Sequence, residues 1–590
     1  MSTPTTPGPT PPTDEPAPGA WKPVRLAAKV IGHISQGMYR TPAGAIKELV
    51  SNAYDAGATY AKLHTGFPRF TEFTCEDDGS GIDPEEFKRL MTGGIGDSSK
   101  QSTDDDRIGR FGRPIVGRLG VGLLSLAQIC PQFQIISYHP KTKKAFSAFI
   151  RFPAYTRKDV DQQIKKAEDG GQKYIETGSY FIKEIDFIEG RTGITVTTSH
   201  VREPFRKIMS ELHNYGNKRF NSTDRSYGDF GEYLNCLTQP KLSALFHASH
   251  YDQLLFGLAL AAPLPYPEKG PGLRGTCILD IPGIAELQKA LASYKFTLEV
   301  DNNALCRPVI LPSNGVGTSA KDCKLSGRPV QQRFTLVDGA HKSEQPVTRY
   351  VFKVKDSDET FQLLWLSYTA KVNGYALKFS GYVFTQTTRL FPKEYQGILI
   401  RIRNVAIGQY DPNFLVYPQA EGPRFSMVSS EIFVEEGLDD SLKVDRDGFN
   451  TLDPQYIRLQ AYIHSLLHDI VFPAIWAEEK PRNEKRRQAR RAKVMRSFTQ
   501  RLKHVTRAKI HKVEVVQGER PKDEPLAKVD AKSGTVTIYA EQAESSGVLG
   551  KKKFEGIAQQ VITAFEIANR EATAEKRREI FYQLLEGVFQ

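Results

Sequence analysis

Ala45-Ile46-Lys47-Glu48-Leu49-Val50-Ser51-Asn52-Ala53-Tyr54-Asp55-Ala56-Gly57-Ala58 sets three polar residues, Glu48, Asn52 and Asp55, at positions i, i+4 and i+7. On an α-helix these share one face, while Ile46, Leu49, Val50 and Ala53 line the other. A carboxylate at Glu48 can take a proton from an attacking water. The carboxamide oxygen of Asn52, a hard neutral ligand one turn on, can hold a magnesium ion that bridges phosphates. Alone, the segment is equally an ordinary amphipathic helix with a solvated polar face.

Two glycine-rich stretches follow it. In Cys75-Glu76-Asp77-Asp78-Gly79-Ser80-Gly81-Ile82 an apolar run ends in an acidic turn. Gly79 and Gly81 let backbone approach a planar ligand, and a buried carboxylate there accepts a hydrogen bond from an exocyclic amine such as that of adenine. Asp77 is the better candidate of the acidic pair because it gives the spacing Asp-x-Gly-x-Gly, although the same letters also spell a plain turn. Asp83, Pro84 and Glu86 then read as N-cap, first helical residue and capping-box partner. Further on, Gly117-Arg118-Leu119-Gly120-Val121-Gly122-Leu123-Leu124-Ser125 leads three glycines into an apolar helical run, so that bare amides opening a helix form an anion cradle. The polar stretch from Gly93 through Lys100 to Arg113 suits a lid over a bound nucleotide. The Gly-Lys-Ser/Thr ending of a P-loop is missing, and no acidic residue follows at the distance a dinucleotide fold needs.

The order Glu48-x-x-x-Asn52, Asp77-x-Gly79-x-Gly81, Gly117-x-x-Gly120-x-Gly122 resembles the GHKL superfamily of ATPases, which includes the ninety-kilodalton heat-shock chaperones, MutL, gyrase B, the MORC proteins and histidine kinases. The glycine motif at 117–125 is similar in particular to that of the heat-shock group. The resemblance implies ATP and Mg2+ as ligands, Glu48 as general base and Asn52 as magnesium ligand. Asp77 becomes the adenine contact, and Gly120 and Gly122, with Gly117 and Val121 beside them, the phosphate contacts. Asp55 and Lys100 join the nucleotide set. A small residue near the adenine is expected on a later strand, where Thr192 or Thr195 can supply it.

Downstream, Gly397 to Ile407 has the apolar content and length of a buried strand with arginines on its wetter face. The stretch Glu435 to Asn450 resembles the heat-shock middle-domain segment that sends an arginine to the ATP γ-phosphate. Arg446 matches that arginine and Asn450 a nucleotide-facing glutamine, while Asp445 and Asp447 depart from the serine and glutamate of that pattern. A guanidinium suits the role because it stays charged as charge builds on the transferring phosphate.

The expected fold is α+β: an N-terminal Bergerat-type α/β sandwich, an α/β transducer-like middle domain, then a basic helix and a small α/β C-terminal region. The boundaries are a Pro/Thr-rich tail at 1–20, an ATP-binding domain at 21–225, a middle domain at 226–475 and the remainder at 476–590. Expected helices lie near 23–36, 43–56, 84–91 and 120–129, with a largely helical stretch at 203–262. Strands are expected near 61–66, 70–76, 132–138, 145–151, 192–199, 275–281, 296–300, 334–337, 348–354, 363–371 and 375–385. A strand at 534–539 and helices at 553–569 and 572–588 follow.

At 590 residues with 39% hydrophobic content, the chain can build several cores. No apolar run has membrane-spanning length, and six scattered cysteines lack paired metal spacing, which points to reduced thiols in the cytoplasm. The net charge of +12 permits contact with polyanions without selecting one. Basic residues from Lys480 to Arg501, on an expected helix at 480–503, read either as a solvated helix docked by Val494, Phe498 and Leu502 or as a polyanion-binding helix. The resemblance therefore implies an ATP-driven, homodimeric, chaperone-like clamp on protein clients; the alternative is a MORC- or MutL-like nucleic-acid clamp in genome maintenance or defence against foreign DNA. A histidine kinase ranks third, since His33 lacks an acidic neighbour suited to phosphoacceptor chemistry.

Overall fold

The structure is a computed structural model, and it describes residues 21–27, 42–95, 126–152, 174–198, 200–212, 247–266, 281–308, 323–339, 341–354, 360–390, 393–443, 448–479 and, beyond these, 484, 488–489, 512–517, 527–530, 533 and 535–540. Two compact units divide between Ile475 and Trp476.

In the first unit, apolar alternation builds one large sheet. Its strands are β1 (Lys22–Ala27), β2 (Tyr60–His64), β3 (Phe73–Asp77), β4 (Thr92–Ile95), β5 (Gln132–His139), β6 (Lys144–Arg151), β7 (Tyr174–Ile185), β8 (Gly193–Thr198), β9 (Thr297–Val300) and β10 (Asn303–Leu305). Among the described residues they run in the order β10-β9-β2-β3-β8-β5-β6-β7-β1-β4. β3 shows the logic: Phe73, Cys75 and Asp77 are buried while Thr74 and Glu76 are half-buried, a period of two with one face against helices.

That helical layer includes α1 (Pro42–Asp55), α2 (Pro84–Met91), α3 (Leu126–Ile129), α4 (Glu203–Ser210), α5 (His250–Ala261) and α6 (Pro282–Ser293). α1 packs against α3, α5 and β2, and α5 also packs against a strand of the second sheet. Ile46, Leu49, Val50, Ala53 and Tyr54 are buried on α1; each large aliphatic side chain removed from water contributes about 1.5–3 kcal/mol before entropy is counted. α2 starts as the sequence predicts, with Asp83 accepting from the Glu85 amide and Pro84 in the first turn. The capping-box role expected of Glu86 is not filled: Glu86 is exposed, and Glu85 pairs with Lys88 instead.

A second sheet holds β11 (Cys323–Leu325), β12 (Val330–Asp338), β13 (His341–Val354), β14 (Thr360–Val372), β15 (Tyr375–Thr385), β16 (Gly397–Ile402), β17 (Val405–Asp411) and β18 (Val428–Glu436). Its order among the described residues is β11-β13-β14-β15-β18-β16-β17, with β12 also on β13. α7 (Pro454–Leu466) covers it through Leu459, Tyr462, Ile463 and Leu466. The second unit contains β19 (Lys512–Gln517), β20 (Ala527–Asp530) and β21 (Thr535–Ala540), in the order β19-β21-β20.

Four expectations need correction. Lys22–Ala27 is a strand between β7 and β4, not the start of a helix, because sheet pairing overrides local propensity. The strand expected at 296–300 belongs to the first sheet, running parallel to β2, so a boundary at 225 does not separate the sheets. The single strand expected from Gly397 to Ile407 is a hairpin turning at Arg403 and Asn404, both with positive φ (48° and 68°). Its Arg401 is fully buried against Glu431, not on a wetter face. The rest of the 23–36 and 120–129 helices, the strand at 275–281 and the helices at 553–569 and 572–588 fall mostly or wholly outside the described residues.

Candidate functional site

α1 brings Glu48 and Asn52 to adjacent turns, and its environment is drier than an amphipathic pattern implies. Glu48 is 4% exposed, Asn52 is half-buried, and Asp55 closes the helix in a half-buried position. A carboxylate held in such surroundings needs nearby partners or chemistry to justify its desolvation.

The acidic turn is attached directly to the C-terminal end of this helix. Ser80 donates its backbone N–H to the Ala56 carbonyl at 2.9 Å. Asp78 accepts from the Thr59 amide at 2.7 Å, the Thr59 hydroxyl at 2.5 Å and the Tyr60 amide at 3.0 Å. The acidic pair therefore divides its labour: Asp78 anchors the loop, and Asp77 is the buried carboxylate. Asp77 accepts from the Gly79 amide at 2.9 Å and from the Ile194 backbone. Burial pushes its carboxyl up from 3.8 to about 7; those two amides pull it down, and Asp78 and Glu76 push it up.

The glycines answer to protein packing on this side. A Cβ on Gly79 would stand 2.9 Å from the Ala56 Cβ and from Asp77 Oδ1. Gly81 has φ +63° and a Cβ there would meet the Tyr138 carbonyl oxygen at 2.3 Å. Ser137 closes the loop from β5, its hydroxyl accepting from the Ile82 amide and donating to the Ile82 carbonyl.

The small residue expected near the adenine side is placed by the register of β3 and β8. Thr195 pairs with Glu76, and paired residues share a face, so Thr195 points away from the face that holds Asp77. The Thr192 hydroxyl donates to the Asp78 carbonyl at 3.0 Å. Pleat alternation thus sets Thr195 on the face opposite Asp77, and Ile194 on the Asp77 face. No polar or glycine signal marked Ile194 in the sequence.

Asn450 is exposed, and its Oδ1 accepts from the Leu452 amide at 3.1 Å in the turn ahead of α7. That local bond uses one acceptor site of its carboxamide in the turn. Lys100, Gly117, Gly120, Val121, Gly122 and Arg446 lie outside the described residues, as do the basic residues from Lys480 to Arg501.

The fit to ATP and Mg2+ rests on donor chemistry: a buried carboxylate at Asp77 for an amine, a carboxamide at Asn52 as a hard oxygen ligand, and a carboxylate one turn before it. Among the described residues no three His, Cys, Asp or Glu converge as a metal site, and no helix is long and apolar enough to cross a membrane.

A profile of the family described as histidine kinase-, DNA gyrase B-, and HSP90-like ATPase matches residues 39–170. The DNA mismatch repair protein MutL of Caulobacter vibrioides is 34% identical over 128 residues, covering 21% of this chain and 20% of the relative. MutL of Anaplasma phagocytophilum is 30% identical over 125 residues, 21% of this chain and 19% of that one. The chain thus matches about a fifth of the length of these relatives. The ATPase region of Saccharomyces cerevisiae topoisomerase II superposes with a TM-score of 0.30 at 8% identity, covering 74% of this chain and 85% of that one, a likeness too low to bear on the fold. The Glu48, Asn52 and Asp77 motifs all fall inside the matched segment, so the resemblance to the GHKL ATPases is carried by residues 39–170.

Proposed function

We propose that this chain hydrolyses ATP with Mg2+ and uses the cycle to drive a conformational clamp, working as a homodimer in the cytoplasm. The observation that supports the reading is the bond from the Ser80 amide to the Ala56 carbonyl, which ties the turn carrying the buried Asp77 to the end of the helix carrying Glu48 and Asn52. Asp77 accepts from the adenine amine. Asn52 presents its carboxamide oxygen for the metal, which when bound neutralises charge on the phosphates. Glu48 takes the proton of the water whose oxygen attacks the γ-phosphorus as the β,γ-bridging P–O bond breaks. The phosphate-contact roles of Gly120 and Gly122, the nucleotide role of Lys100 and the γ-phosphate role of Arg446 are carried by the sequence resemblance alone.

A nucleic-acid clamp is favoured over a protein-client chaperone. The relatives above carry the name DNA mismatch repair protein, and the run from Lys480 to Arg501 supplies phosphate-binding charge. Asn450, the companion of Arg446 in the chaperone-like segment, is held in a local turn.

The test is phosphate release and calorimetric ATP binding by the full chain and by Glu48→Ala, with duplex DNA, RNA or an unfolded protein added in turn. Glu48→Ala should bind ATP within about threefold of the parent and lose hydrolysis by about 100-fold or more, since the base acts on water and not on the bound ligand. Unchanged hydrolysis removes Glu48 from its role. Stimulation by DNA or RNA supports the nucleic-acid reading, and stimulation by unfolded protein alone replaces it with the chaperone one.

A further inference from the structure

The residue beside Glu48 leaves α1 in another direction. Successive helical side chains diverge by about 100°, and Lys47, nearly buried, donates from Nζ to the Ala406 carbonyl at 2.6 Å, 359 residues away in sequence. Ala406 lies on β17, which ends the order of the second sheet among the described residues. One turn of α1 therefore holds the candidate general base Glu48 on one side and the second sheet on the other.

The receiving element is held on several sides. In the β16–β17 hairpin, Arg403 and Asn404 occupy the two positive-φ positions of a tight turn. The Arg403 amide donates to the Val434 carbonyl and its guanidinium pairs with Asp439 at 2.8 Å. Arg307, fully buried, donates from Nη2 to the Asn404 carbonyl at 3.0 Å, and Arg401 donates from Nη1 to the Leu260 carbonyl at the end of α5 at 2.6 Å. With the turn gripped on these sides, a shift of α1 at Lys47 is not absorbed by loop bending. It passes into β16 and then β18, its parallel neighbour.

We propose that Lys47 is a positioning residue that couples the ATP-site helix to the second sheet, so that nucleotide at Glu48 and Asn52 and the placement of the β16–β17 hairpin bias one another. The proposal rests on the ATP-site reading. By linkage, the hairpin placement that ATP favours raises ATP affinity by the same factor.

The experiment is peptide-resolved amide hydrogen exchange on the full chain with and without the magnesium complex of the β,γ-imido analogue of ATP, with analogue binding measured separately by calorimetry. In the parent protein the analogue should slow exchange in 405–411 by about threefold or more. Lys47→Met, which keeps the apolar stem and removes the amine, should bind the analogue within about threefold of the parent, lose the exchange change and lower kcat about tenfold with KM for ATP little altered. Lys47→Arg should restore both. Binding without any change at 405–411 in the parent overturns the coupling alone, and needs no variant to fold. A Lys47→Met protein that keeps the exchange change also overturns it. Absence of analogue binding removes the ATP-site reading, and this one with it.

Discussion

At the scale of single residues, Asp77 carries a burial penalty that the proposed adenine contact would explain. Its folded carboxyl titrates near 7 and the unfolded one near 3.8. Between those values the folded state holds the extra proton, so this group's contribution to stability falls as pH rises through the window and its burial penalty is complete above about 7. Asp77→Asn keeps an oxygen for the Gly79 amide and carries no charge to bury. It should raise the thermal midpoint at pH 8, with a gain of roughly 2 to 4 kcal/mol that shrinks toward pH 5. The same change should weaken ATP binding about tenfold or more, because the amide can turn its NH2 toward the adenine amine. Melting curves at the two pH values and calorimetry check both halves; a variant less stable at pH 8 than at pH 5 relative to the parent would refute the first. The sequence marked Asp77 by its glycine spacing. That Asp78 is the anchor became visible only through its bonds to Thr59 and Tyr60.

At the scale of elements, the junction of β3 and β8 is the tightest part of the site. Gly193 has φ +93°, and a Cβ there would stand 2.0 Å from the Asp77 carbonyl oxygen. Backbone cannot give way as a flexible side chain does, so Gly193→Ala should cost about 2 kcal/mol or more and displace Asp77. The expected result is a lowered denaturation midpoint together with lost ATP affinity. Gly190→Ala, also at positive φ (80°) but with open space around it, should cost only about 1 kcal/mol and keep binding. Equal losses at the two glycines would show that the close approach to Asp77 is unimportant. Strand and helix identity at β3, α1 and α2 was legible from periodicity and capping letters. The hairpin at 397–411 was not, because an unbroken apolar run hides a two-residue turn whose cue is only Asn404 after an arginine.

At the scale of the whole first unit, a buried ion pair within the second sheet is also tied to α5 through the Leu260 carbonyl. Arg401 and Glu431 form a fully buried pair at 2.5 Å, and Tyr382 and Tyr410 also donate to Glu431. Arg401, Arg307 and these bonds hold the Glu431 carboxyl below its usual range against the opposing effect of burial. A depressed folded pKa contributes stability above the unfolded value of about 4.5, lost as pH falls through the folded one. Arg401→Met should leave that carboxylate buried without its ion partner and cost about 3 to 5 kcal/mol, while the double change with Glu431→Gln should recover part of the loss. Urea denaturation of the single and double variants measures this, and additive losses would deny the pairing. The ordered motifs Glu48-x-x-x-Asn52 and Asp77-x-Gly79-x-Gly81 were enough, by themselves, to point to the ATPase family whose profile matches residues 39–170, because those side chains sit within one helix and one turn, where local spacing fixes direction. Which face of β8 Thr195 occupies, that Arg401 lies in a core, and that Lys47 reaches Ala406 were decided by tertiary structure. Each depends on strand register or on contacts between residues tens to hundreds of positions apart, and periodicity carries no information about what stands opposite.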